Sequence, residues 1–147
     1  MLSKRFVRIA VTVGGTVAVC YFAAFAGVAL LFASGCANEV LSQVISPDAK
    51  MKAVVFQRDC GATTGFSTQV SIVQNPSELP NESGNAFVAD TNHGAAPDGP
   101  GGGPEVSVRW PSSTELIISH HPAARVFSTQ GSVGSTKVHY EASVPKS

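Results

Sequence analysis

The most reactive string in the chain is Arg58-Asp59-Cys60-Gly61-Ala62-Thr63-Thr64-Gly65, which sets a guanidinium, a carboxylate, a thiol and two hydroxyls between two apolar runs. A cysteine acts as a nucleophile only as the thiolate, with a base in reach and donors waiting for the oxyanion. Cys60 with Asp59 and either His120 or His121 is the one such set the sequence nominates, and it defines an extracytoplasmic thiol-dependent enzyme as an alternative reading. Nothing in the sequence places these groups together, so no catalytic residue is assigned. The reading preferred here is a turn anchored by a disulfide, with hydroxyls that satisfy their own backbone. A ligand-binding loop built from Arg58, Asp59, Thr63 and Thr64 stands between the two.

A second polar string, Asp90-Thr91-Asn92-His93-Gly94 with Asp98 beyond it, places oxygen donors at alternate positions ahead of a glycine. A calcium loop of the EF-hand kind needs a further donor at its fifth position and a bidentate Glu at its twelfth. Gly94 and Gly101 occupy those places. The string therefore reads as a polar turn leaving a strand, and it adds Asp90, Asn92 and His93 to the candidate ligand loop. His120 and His121 are adjacent, so on a strand they point to opposite sides and cannot chelate together. His139 falls on the polar face of an alternating run. No Cys-x-x-Cys, His-Glu-x-x-His, Gly-x-Ser-x-Gly or phosphate-binding glycine loop ahead of a helix occurs, and no metal or cofactor is expected.

The elements that carry these groups read as strands. After residue 40 the helical three-and-four spacing is absent, whereas strict alternation recurs. Glu105-Val106-Ser107-Val108-Arg109-Trp110, Lys137-Val138-His139-Tyr140-Glu141-Ala142 and Phe66-Ser67-Thr68-Gln69-Val70-Ser71-Ile72 each put apolar residues on one face. Residues 53–56, 86–89 and 116–118 are continuously apolar and predict central strands covered on both sides. Residues 125–128 make a seventh, shorter strand. Residues 110–115 predict a hairpin, and residues 75–85 a polar connection. Residues 94–104 hold five Gly and three Pro, and predict a mobile loop. The expected fold is all-β, an antiparallel sandwich or blade-like meander of about seven strands, preceded by one N-terminal transmembrane helix.

That helix is read from residues 9–33, which carry no charge and consist almost wholly of Ala, Val, Leu, Phe and Gly. At about 1.5 Å per residue they reach about 37 Å, enough for a hydrocarbon core of about 30 Å. Lys4, Arg5 and Arg8 precede the run, while the chain beyond it has seven Lys or Arg against ten Asp or Glu, a net of −3. Positive residues stay on the cytoplasmic side, so the organisation expected is a basic cytoplasmic end at 1–8, a span or signal anchor at 9–34, and an exterior β domain at 35–147. The exterior part has no basic strip interleaved with aromatics, which excludes nucleic acid as a partner. Cys20 lies in the span as a small apolar residue. Cys36 and Cys60 lie outside, where thiols are oxidised, and are expected to pair.

Several strings carry resemblances. Ala33-Ser34-Gly35-Cys36 resembles a bacterial lipobox, with Ala33 where Leu is usual. It implies an alternative in which Cys36 is lipidated, while full cleavage of the apolar run as a signal is a third route to the same side of the membrane. The Ser46-Pro47-Asp48 turn entering an apolar strand resembles a β-propeller repeat, in a chain with room for one or two blades. Arg58-Asp59-Cys60-Gly61-Ala62-Thr63-Thr64-Gly65-Phe66-Ser67-Thr68-Gln69 and Phe87-Val88-Ala89-Asp90-Thr91-Asn92-His93-Gly94 are similar to segments of a family of small, uncharacterised bacterial envelope proteins. That resemblance implies a short exported or membrane-anchored β domain and brings no activity with it. The expectation is a non-enzymatic, single-pass protein of the bacterial cell envelope, a binding or accessory module facing the membrane and another envelope protein.

Overall fold

The computed structural model describes residues 35–61 and 65–143. The expected span at 9–34 lies outside the described residues, as do Thr63 and Thr64 of the candidate ligand loop. Among the described residues the chain is all strand and turn: β1 (Ala37–Ile45), β2 (Met51–Asp59), β3 (Ser67–Gln74), β4 (Phe87–Asp90), β5 (Val106–Ser112), β6 (Glu115–His120), β7 (Arg125–Thr129), β8 (Ser132–Val133) and β9 (Thr136–Ala142). No helix among them is long and apolar enough to cross a membrane.

The strands form a five-stranded sheet ordered β1-β2-β3-β4-β7 and a four-stranded sheet ordered β5-β6-β9-β8. Alternation decides which side chains meet. Val55 pairs with Val70 and Ala53 with Ile72 on the inward face of the larger sheet. Those residues, with Phe87 and Ala89, share one buried cluster with Val106, Leu116, Ile118 and Val138 of the smaller sheet. The three continuously apolar runs fall on β2, β4 and β6, each with a neighbouring strand at both edges, but only β2 is buried on both faces; Val88 and Ile117 face outwards half-buried. Tyr140 ties the layers together: its hydroxyl donates to the Ala86 carbonyl at 2.8 Å and accepts from the Gln130 amide at 2.8 Å.

Three expectations are corrected. Residues 37–45, for which the sequence pattern predicts no strand, form β1, which pairs antiparallel with β2 along its whole length. The sheets are not wholly antiparallel, because β6 and β9 run parallel, Leu116 opposite Val138 and Ile118 opposite Tyr140. Residues 94–104, expected to be a mobile loop, are packed down. Ala96 and Pro104 are buried, and the Gly99 amide bonds the Gly103 carbonyl at 2.7 Å. Glycine makes this seat accessible: a Cβ at Gly103 would stand 2.4 Å from Thr68 Oγ1, and one at Gly101 2.5 Å from Gln57 Oε1.

The outer face of the larger sheet is covered in part. Val54 and Phe56 point there and are buried. Residues 75–85 cross over this face and are fastened to it. Gln69 Oε1 accepts from the Gly84 amide at 2.6 Å, and Asn85 exchanges bonds with the Ile72 backbone at 2.9 and 3.0 Å. Further along the same face, towards β7, the cover ends.

Candidate functional site

Where the cover ends, a groove of about 370 Å³ opens, lined by Arg58, Cys60, Gly65, Ser67, Val88, Asp90, Arg125 and Phe127. The fold assembles it from four strands. Phe87 and Ala89 are turned into the core, so Val88 and Asp90 between and beyond them face outwards. Arg58 and Ser67 are register partners on β2 and β3, while Asp90 and Arg125 are partners on β4 and β7. A larger groove of about 620 Å³ lies between β1 and the strap at 75–85, but none of the site residues singled out in the sequence lines it.

Three of the expected ligand-loop residues meet here: Arg58 and Asp90 line the groove, and His93 reaches it through Arg125. Arg125 grips Asp90 with two nitrogens, its Nε to Oδ1 at 3.1 Å and its second contact from Nη2 to Oδ2. Its remaining Nη1 sits 3.3 Å from His93 Nε2, and the guanidinium lies over the Phe127 ring at 4.9 Å. Partial burial pushes the Asp90 carboxyl up, but the Arg125 hydrogen bonds and charge and the Asn92 amide outweigh it and hold the carboxyl below its ordinary range. The same pairing raises Arg125 above its ordinary value.

The turn beyond β4 is strained. Asn92, His93 and Gly94 take φ of 53°, 57° and 85°, three successive residues in the left-handed region, two of them with a Cβ that disfavours it. The turn is held by the Asn92 amide on Asp90 Oδ1 at 2.8 Å and by Asn92 Nδ2 on the Ala123 carbonyl at 3.3 Å. Both carboxylate oxygens of Asp90 are thus committed to the protein itself. Among the described residues no group of three or more His, Cys, Asp or Glu is placed to hold a metal ion.

Cys60 stands at the groove's end with its sulfur bonded to Cys36. In this state it offers no thiolate. Asp59, its neighbour in the sequence, is not in the groove; Oδ1 accepts from the Gly61 amide at 2.8 Å and closes the turn. His120 stacks on Phe87 with centroids 5.2 Å apart, and His121 Nδ1 accepts from the Ala123 amide at 3.1 Å, so both imidazoles serve the fold. The sequence reading missed Ser67, Val88, Arg125 and Phe127 as site residues. An Arg followed two residues later by an aromatic, on a short strand after Pro122, was the only local signal; the Asp90 partnership spans 35 positions. No family model, curated protein or solved structure matches the chain.

Proposed function

We propose that this chain is a non-enzymatic protein of the bacterial cell envelope, anchored by its N-terminal apolar run, whose exterior β domain binds another envelope component through the Arg58–Phe127 groove. The observation that carries the reading is the Cys36–Cys60 disulfide. Such bonds persist outside the reducing cytosol, which agrees with the orientation drawn from Lys4, Arg5 and Arg8. The bond also takes up the one sulfur on which a thiol enzyme would depend, and the one that lipidation of Cys36 would need. A strained turn whose His93 meets Arg125, the same guanidinium that covers the exposed Phe127 ring, is the kind of feature that clusters at binding sites.

Intact mass of the membrane-extracted protein without reductant tests the address and the state of the sulfurs together. The uncut chain lighter by two hydrogens is the expected result; a mass with added acyl chains and the apolar run removed overturns the anchor. For the groove, a photoreactive phenylalanine analogue at position 127 is expected to yield one discrete adduct in intact cells, and the same analogue at Lys137 none. Equal labelling from both positions sinks the binding role.

A further inference from the structure

Resting on the groove reading above, we infer that its ligand is a carboxylate carried on an apolar group, with Arg58 meeting the charge and Phe127 and Val88 the apolar part. Three features of the groove converge on that chemistry.

The first is unbalanced charge. Arg125 is matched by Asp90, which it grips through two nitrogens. Arg58 has no such partner: among the described residues its contacts are the amide oxygens Asn38 Oδ1 at 2.6 Å and Asn81 Oδ1 at 3.4 Å, both through Nη1. Neutral amides orient a guanidinium without cancelling its charge. They also leave the Nε and Nη2 hydrogens, the fork that fits an oxyanion two-handed. Asp59 does not supply the balance, because alternation along β2 turns it to the opposite face and its carboxylate closes the turn to Gly61. Two arginines and one aspartate give the groove a surplus positive charge, in a region of chain that carries seven basic against ten acidic residues.

The second feature is apolar surface beside that charge. Phe127 is 58% exposed, the most exposed large hydrophobic side chain among the described residues. Arg125 covers one side of its ring at 4.9 Å, which holds the ring in place and leaves its other side for a ligand. The third is size. About 370 Å³ lies at the small end of ligand pockets and suits a group of one or two amino-acid residues.

A peptide ending in an aromatic residue and a free aryl-alkanoic acid share this chemistry. The full chain in detergent micelles is titrated with N-acetyl-Gly-Phe and with 3-phenylpropionate, each beside its neutral amide, and read by calorimetry and by the amide resonances of Arg58, Val88 and Phe127. Saturable binding of at least one acid, with its amide weaker by about tenfold or more, is expected. The tighter of the two acids names the source. R58Q should lose about tenfold or more while near-ultraviolet dichroism and the disulfide are unchanged, and R58K, which keeps the charge but not the fork, should fall between. Equal binding of acid and amide overturns the inference and leaves a groove that binds by its apolar wall alone. Full affinity in R58Q, or no saturable binding of either acid, overturns it as well. The crosslinking from position 127 fails or succeeds independently of these results.

Discussion

Replacing Cys36 and Cys60 together by serine removes a constraint whose weight follows from the chain. The bonded residues are 24 apart in sequence, so the bridge closes a ring of 25 residues in the unfolded ensemble. Loop-closure entropy for that length comes to about 12 cal/mol/K, or about 3.5 kcal/mol at room temperature. The native fold needs no help in bringing the ends together, because Ala37 and Asp59 are already ladder partners beside the bond. The loss therefore falls on the unfolded side of the equilibrium. Trp110, the sole tryptophan, reports it: Nε1 donates to the Val44 carbonyl at 3.0 Å, so its emission follows the docking of β1 against β5. Urea titration of the full chain in micelles should show the midpoint falling by about 2 M at an m of about 1.5–2 kcal/mol/M. A fall below about 0.5 M with m unchanged refutes the reasoning, since the unfolded chain would then be no freer without the bond.

Tyr140→Phe keeps the ring in the core but strips the hydroxyl that Ala86 and Gln130 share, and should cost about 1–2 kcal/mol by the same titration. Burial raises the Tyr140 phenol above its ordinary value, so its contribution is present below about pH 10 and lost as the pH rises through the folded value; the wild-type advantage over the variant should shrink in that window. Gly103→Ala sets a methyl 2.7 Å from the Thr68 backbone nitrogen, and should cost about 1–3 kcal/mol and raise amide exchange across residues 94–104. His93→Gly relieves a left-handed residue and should raise the melting temperature, with a gain of about 1 kcal/mol, while loosening Arg125. The Asp90 carboxyl is held low, so its contribution is present above about pH 4 and lost as the pH falls through its folded value; the gap in melting temperature between wild type and Asp90→Asn should close on acidification.

Strands with a clean period of two were legible because alternation is a local property. β5 and β9 show it in their burial, Val106 and Val138 inward, Ser107 and His139 outward. β1 was missed for an equally local reason. Its register slips between Val40 and Ser42, so Leu41 breaks the alternation, and as an edge strand it is exposed along most of its length. Composition misled at residues 94–104, where glycines looked like freedom; Gly101 and Gly103 instead let backbone lie against Gln57 and Thr68. Of the groove, the charged words around Arg58 and Asp90 could be read in the sequence. The arrival of Arg125 and Phe127 beside them could not, because it depends on β4 pairing on its second edge with β7, 35 positions on in the chain, and not only with β3.

The position of β9 sets a timetable for synthesis. It is the last of the described strands to be made, yet it occupies an interior place in its sheet, between β6 and β8. β1, β2, β3 and β4 can zip in the order they leave the ribosome, each onto its predecessor. β6 must wait with one flank open until Thr136–Ala142 arrives, bringing Val138 and Tyr140 with it. A ribosome stalled before residue 136 would hold a half-built second sheet with sticky edges, and deleting Thr136–Ala142 would unmake a wall rather than fray a margin.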